Sequence, residues 1–134
     1  QVLGERYAGK IDAVAGLESR GFILGAPLAT ELGIGMLTIR KAGKLPGHVI
    51  GVNYALEYGS ARMEIRPESV TPGARVLIVD DVLATGGTAG ASVDLLRQCG
   101  AEVATVAVLL ELEAFSGRKV LADKGVSVES ALLV

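Results

Sequence analysis

Two carboxylates, Asp80 and Asp81, end the β-branched apolar run Val-Leu-Ile-Val, and the small, hydroxyl-bearing turn Val-Leu-Ala-Thr-Gly-Gly-Thr follows them directly. A buried strand would carry the acids to the edge of a sheet. The turn after it offers free backbone N–H groups and the hydroxyls of Thr85 and Thr88, while Gly86 and Gly87 let an anion approach the main chain. Like charge bars the two acids from binding phosphate, so they serve hydroxyls or a metal ion beside it. A phosphate next to a diol describes a ribose 5-phosphate. An ATP-type phosphate loop would need a lysine after the glycines, and a dinucleotide fingerprint would place its acid about twenty residues after them. An ordinary strand-to-helix turn with exposed aspartates needs fewer special residues than stand here.

Other residues have to reach the same place. Glu18-Ser19-Arg20-Gly21-Phe22 follows an apolar segment; Arg20 can grip a phosphate bidentately, and Gly21 opens a helix with free N–H groups. The alternative is a capping serine with a surface ion pair. Arg40, Lys41 and Lys44 make a basic loop that suits a polyanion or simply solvent, and Glu57-Tyr58-Gly59 taken alone is a hairpin turn. His48, the single histidine, reads as a loop residue. No His/Cys/carboxylate set has zinc spacing.

The elements that position these groups follow from pattern. Apolar runs at 11–17, 35–39, 75–80 and 103–110 read as buried strands, with a weaker edge strand at 126–133. Helices are expected at 21–32, where Pro27 is either a kink or the true start, at 88–99 and at 115–124, with the tail of another at 1–8. Residues 49–57 and 61–66 are expected to form a hairpin, so that about 40–70 is a flexible excursion. This alternation predicts an α/β fold, a parallel twisted Rossmann-like sheet flanked by helices over a single domain of residues 1–134. Ligands then sit at the C-terminal strand ends.

Composition fits. Half of the 134 residues are hydrophobic but only 4% aromatic, as in an aliphatic sheet covered on both faces. A net charge of −2 argues against nonspecific nucleic-acid binding, and the lone Cys99 excludes an internal disulfide. The longest apolar run is too short for a bilayer and no signal peptide is visible, so no membrane association and a cytoplasmic location are expected.

The 76–88 segment resembles the phosphoribosyl-pyrophosphate (PRPP) motif of the type I phosphoribosyltransferases. Together with Glu18-Ser19-Arg20-Gly21-Phe22, Lys44-Leu45-Pro46-Gly47 and Leu56-Glu57-Tyr58-Gly59 it is similar to the adenine-using branch of that family, over about 11–118. The resemblance implies that Asp80 and Asp81 hold the ribose diol and that Ala84, Thr85, Gly86, Gly87 and Thr88 hold the 5-phosphate. It implies pyrophosphate contacts from Ser19, Arg20, Lys41 and Lys44, with Arg40 a candidate to reach a neighbouring subunit. Glu57 would handle a proton on the base, Tyr58 would close over the reacting carbon, and Leu112 would wall the base pocket. The implied reaction joins adenine and PRPP to give AMP and pyrophosphate in a homodimer. Mg2+ would be held mainly by the ligand and water, with no direct protein ligand. Family members carry an N-terminal hood, of which only ten residues would remain before the first strand. The alternatives are a PRPP-binding regulator without catalysis, and a transferase for a 6-oxopurine such as xanthine.

Overall fold

The computed structural model describes residues 2–56 and 59–134, so Glu57 and Tyr58, both named above as catalytic candidates, lie outside the described residues. A short helix α1 (Val2–Tyr7) leads into β1 (Ala13–Leu17), α2 (Arg20–Leu32) and β2 (Gly35–Lys41). A hairpin of β3 (Ile50–Ala55) and β4 (Ser60–Ile65) follows. The chain then returns through β5 (Arg75–Leu83), α3 (Gly87–Gln98), β6 (Glu102–Glu111), α4 (Gly117–Asp123) and β7 (Ser127–Leu133). One sheet results, in the order β3-β4-β2-β1-β5-β6-β7. Its five strands from β2 to β7 are parallel, and the hairpin adds to β2 in antiparallel pairing through Arg40–Glu64 and Lys41–Met63. The expected parallel α/β sheet is present, with the segment 126–133 on its outer edge as anticipated.

Strand alternation sorts the core into two layers. Val76 and Ile78 pack with Ala15, Leu17, Val106 and Val108 in the cluster that takes in Leu95 and Leu96 of α3 and Leu121 of α4. Leu77 and Val79 point the other way, with Val14 and Ala107, against Leu28 and Ala29 of α2. Because β5 is covered on both faces, it reads as an unbroken apolar run rather than an alternating one. Helix α2 runs through Pro27 and stops at Gly33, whose φ of 68° turns the chain out of the helix.

Four of the differences from the sequence-based boundaries have a tertiary reason. The first strand begins at Ala13 rather than 11, because Asp12 is engaged by Arg75 through its carboxylate and its backbone N–H. The second continues through Arg40 and Lys41, which are strand and not loop, because β4 pairs with them. The third runs on past Asp80 to Leu83, so that Asp81 as well as Asp80 lies within β5, since β6 runs beside it as far as Leu83 and Glu111. The helix expected at 115–124 is divided into a 3-10 turn, Glu113–Phe115, and α4, with Ser116 between them at φ 57°.

Candidate active site at the C-terminal rim

Both acids of β5 turn onto their own backbone. The Asp81 N–H donates to Asp80 Oδ1 at 2.8 Å, and the Val82 N–H donates to Asp81 Oδ1 at 2.9 Å. Arg20, the first residue of α2, reaches across with its Nε 2.8 Å from Asp81 Oδ2. This close approach depends on the next residue. A Cβ on Gly21 would meet the Val79 carbonyl at 2.7 Å and Asp80 Oδ1 at 3.4 Å, so only glycine lets α2 start hard against β5. Burial pushes the Asp80 carboxyl up to about 7, and the neighbouring Asp81 adds to the rise, while the Asp81 N–H and Arg20 oppose it. Near neutral pH this acid is therefore poised between its two forms.

The glycine turn builds a second feature. Residues Ala84, Thr85, Gly86, Gly87 and Thr88, with Asp80, Val82, Leu83, Ala89 and Val108, enclose a cavity of about 130 Å³. Gly86 takes φ 85° as the N-cap of α3 and, lacking a side chain, makes no capping bond itself, while the Gly87 N–H donates to the Thr85 hydroxyl at 3.4 Å. The first intrahelical bond runs from the Gly90 N–H to the Gly86 carbonyl at 2.7 Å. Gly87, Thr88 and Ala89 of the first turn of α3 line the cavity, so it lies at the positive end of the helix dipole, the standard anion seat of such sheets. The turn is packed from behind: a Cβ on Gly86 would lie 3.2 Å from the Gly117 carbonyl and from Val120, and a Cβ on Gly117 would collide with the Ala84 carbonyl. On its outer side the Thr88 hydroxyl donates to the Tyr54 hydroxyl of β3 at 3.1 Å.

Ser19 occupies the N-cap position of α2, yet its side chain makes no capping bond and stays exposed, and the Glu18–Ser19 peptide is cis. Glu18, mostly buried, accepts from the Lys41 N–H at 2.9 Å and from Arg40 Nε at 3.2 Å. Burial opposes ionisation of Glu18, but these donors and the charge of Lys44 hold its carboxyl below the usual range. Arg40 also lies over the Phe22 ring, 5.8 Å from the centroid, so within one chain it is fixed rather than extended. Lys41 and Lys44 are exposed. The turn between them is held by Glu64, only 8% exposed, which accepts from the Gly43 N–H at 3.0 Å and from Arg62 Nε at 3.0 Å. Those two hydrogen bonds lower the Glu64 carboxyl, the Gly43 one foremost.

Leu112 follows β6 directly, half-buried, and its N–H donates to the Leu83 carbonyl at 2.8 Å. It lines neither rim cavity. The larger of the two, about 580 Å³, opens beside Asp80 between Leu24 of α2 and the 107–109 and 128–131 segments of the sheet, with Arg118 at its wall. Arg118 holds Glu111 in a two-pronged ion pair at 2.6 and 3.0 Å and donates to the Val128 carbonyl at 3.1 Å; Ser130 completes the carboxylate. Tyr54, Glu64 and the Glu111–Arg118 pair escaped the sequence reading. The only trace of the pair was an acid at the end of an otherwise apolar strand. His48 lies exposed in a loop against Glu68, a loop residue as expected.

The profile of the phosphoribosyl transferase domain family matches residues 1–129. The chain belongs to the phosphoribosyltransferase family. An adenine phosphoribosyltransferase of Nocardioides is 58% identical over 111 residues, which cover 83% of this chain and 60% of that protein. The chain thus spans under two thirds of the length of that curated relative. The crystal structure of adenine phosphoribosyltransferase from Rhodothermus marinus superposes with a TM-score of 0.92 at 44% identity, over 99% of this chain and 75% of that one. The enzyme from Trypanosoma brucei, solved with AMP, pyrophosphate and ribose-5-phosphate, superposes with a TM-score of 0.90 at 34% identity, over 98% and 61%. The fold is that of the type I phosphoribosyltransferases. Within it, the acidic pair of β5 and the glycine turn share the C-terminal edge of this phosphoribosyltransferase domain with Arg20.

Proposed function

We propose that the chain transfers the 5-phosphoribosyl group of PRPP to adenine, releasing AMP and pyrophosphate. The observation that carries this reading is the juxtaposition of two carboxylates with a small, glycine-lined cavity at the start of α3. Adenine as the base is supported by the names of the relatives, which weigh against a 6-oxopurine and against a regulator without catalysis.

The 5-phosphate sits in the 84–88 turn and takes the N–H groups that precede Gly90, with Thr85 and Thr88 donating their hydroxyls. Asp80 and Asp81 accept from the ribose hydroxyls. Anchoring both ends of the sugar uses binding energy remote from the reacting carbon to place that carbon for attack. As the C–O bond to pyrophosphate lengthens, positive charge spreads over the ribose ring and negative charge over the leaving group. Arg20, Lys41 and Lys44 stabilise that negative charge, with Ser19 supplying a hydroxyl, and donors held ready in this way lower the barrier most. Arg20 exchanges Asp81 for pyrophosphate, which frees the Asp81 carboxylate for a ribose hydroxyl. Glu57 handles the proton of the attacking base and Tyr58 covers the reacting centre.

The donor chemistry fits a magnesium ion. Asp80 and Asp81 offer hard oxygens at the rim, but among the described residues no group of three His, Cys, Asp or Glu side chains converges. An ion held chiefly by pyrophosphate, ribose hydroxyls and water fits that set, and when bound it neutralises charge on the leaving group. A homodimer, with Arg40 offered to the neighbouring site, and a cytoplasmic setting belong to the same reading. The test is pyrophosphate release from PRPP. The reading expects release only when adenine and magnesium are both present. PRPP binding without release points to the regulator, and release with hypoxanthine or xanthine in place of adenine overturns the choice of base.

A further inference from the structure

The Tyr54–Thr88 contact is absorbed by none of these roles. Tyr54 belongs to β3, the outermost strand of the hairpin, and pairs with Ala61 of β4. Its ring leans on the phosphate turn so closely that a Cβ on Gly87 would lie 3.1 Å from Cδ2, and it is half-buried against the main core. Its hydroxyl accepts from Thr88 at 3.1 Å. A hydroxyl carries one proton and two lone pairs. Phosphate oxygens in the turn only accept, so a Thr88 hydroxyl that donates to phosphate must withdraw its proton from Tyr54. The pair then reverses, and the phenol donates to Thr88. A phenol is the more acidic of the two hydroxyls, and a chain from phenol to hydroxyl to anion is mutually polarised, so the contact tightens when the turn is filled.

We infer that Tyr54 is a positioning residue that ties the β3–β4 hairpin to occupancy of the phosphate turn. This rests on the reading of residues 84–88 as the phosphate seat. The hairpin is a continuous path from there. Tyr54 pairs with Ala61, Gly51 pairs with Glu64 further along the same ladder, and Glu64 holds the Gly43 N–H of the basic loop. A ligand phosphate in the turn is thereby sensed, about one hairpin away, by the turn between Lys41 and Lys44. The two ends of a ribose bearing a phosphate and a pyrophosphate are gripped in concert instead of independently.

Hydrogen exchange measured by mass spectrometry on the whole chain, with and without saturating ribose 5-phosphate, tests the link. In the parent chain, ligand slows exchange in peptides spanning 84–90 and, several-fold, in those spanning 50–60. In Tyr54→Phe, which keeps the ring on Gly87, the dissociation constant rises about three- to tenfold, the 84–90 peptides are still protected at saturation, and protection of 50–60 is lost. Thr88→Ser, which keeps the hydroxyl, retains both. A merely structural tyrosine would change exchange equally with and without ligand. Equal ligand-dependent protection of 50–60 in the parent and Tyr54→Phe overturns the inference, as does its loss in Thr88→Ser. Absence of protection at 84–90 in the parent removes the phosphate seat itself and the inference with it.

Discussion

Asp80 is a carboxyl held where the free protein would rather have it neutral. Partial burial and the adjacent Asp81 raise it to about 7, so the folded chain binds a proton there that the unfolded chain releases near pH 4. The native state therefore binds more protons than the unfolded state between those values, and stability falls as pH rises through that window. Asp80→Asn removes the penalty. Its melting temperature should exceed the parent's by a few degrees at pH 8 and converge on it only below about pH 4, while ribose 5-phosphate binding drops at least tenfold; a variant that is no more stable at pH 8 would contradict the burial argument. In the parent, affinity for ribose 5-phosphate should climb several-fold from pH 6 to pH 8, as the carboxyl ionises and accepts from the diol, and Asp80→Asn should flatten that climb. Arg20 stands opposite Asp81 and is 76% exposed on its side chain, so its pairing in the free protein is easily exchanged. Arg20→Ala should leave the melt within about 0.5 kcal/mol of the parent and weaken inhibition by pyrophosphate more than binding of AMP; an equal loss of both would place Arg20 elsewhere. At this scale the sequence was legible where residue type alone implies chemistry, as with Asp80, Asp81, Arg20 and Thr88. It was silent on Tyr54 and Glu64, whose roles depend on partners 34 and 21 residues away.

The elements explain why two glycines are needed at the helix starts. Gly21 lets α2 begin against the Val79 carbonyl, and Gly86 turns the chain into α3 with a left-handed backbone. Gly21→Ala should cost about 1–3 kcal/mol through overpacking and loosen the Arg20–Asp81 pair, seen as a further rise in the Asp80 carboxyl by NMR titration. Gly86→Ala adds about 1–2 kcal/mol of backbone strain and presses the turn against Gly117, so phosphate affinity should fall more steeply than stability. If either variant kept both properties intact, the close approaches would not be what shapes the rim. Helices and strands were readable from period and from Gly33 and Gly100, since those signals are local. The ends of β2 and β5 were not. Each continues because a neighbour in the sheet keeps pairing with it, and pairing between segments that are distant in sequence leaves no local mark. The break at Ser116 escaped for the same reason: Gly117 has to meet the Ala84 carbonyl, which bends the chain away from one regular helix.

The whole molecule is a sheet with two buried faces and an acidic, glycine-lined rim, closed at one side by a hairpin. Its fold class was legible throughout, because strand and helix patterns alternate and half the residues are hydrophobic. The lock that holds β6, α4 and β7 together was not. Glu111, 3% exposed, is matched by Arg118, Ser130 and the Arg118 bond to the Val128 carbonyl. Arg118→Met should cost about 2–3 kcal/mol, less than the loss for a fully buried pair because Arg118 is half-exposed. Arg118 lowers the Glu111 carboxyl, so the pair stabilises the fold above the ordinary carboxylate range and fades as pH falls below about 4; the difference in melting temperature should narrow there. A constant difference down to pH 3 would mean that packing of the arginine stem, not charge, is the source.

The most direct test of the rim as a phosphoribosyl site is titration of the isotopically labelled chain with ribose 5-phosphate, followed through its backbone amide resonances. The largest shifts should fall on Thr85 to Ala89, whose N–H groups meet the phosphate, and on Asp80 to Val82, with little change at the N-terminal strand ends near Asp12 and Arg75. Saturable binding whose shifts cluster away from the 80–89 segment would contradict the assignment.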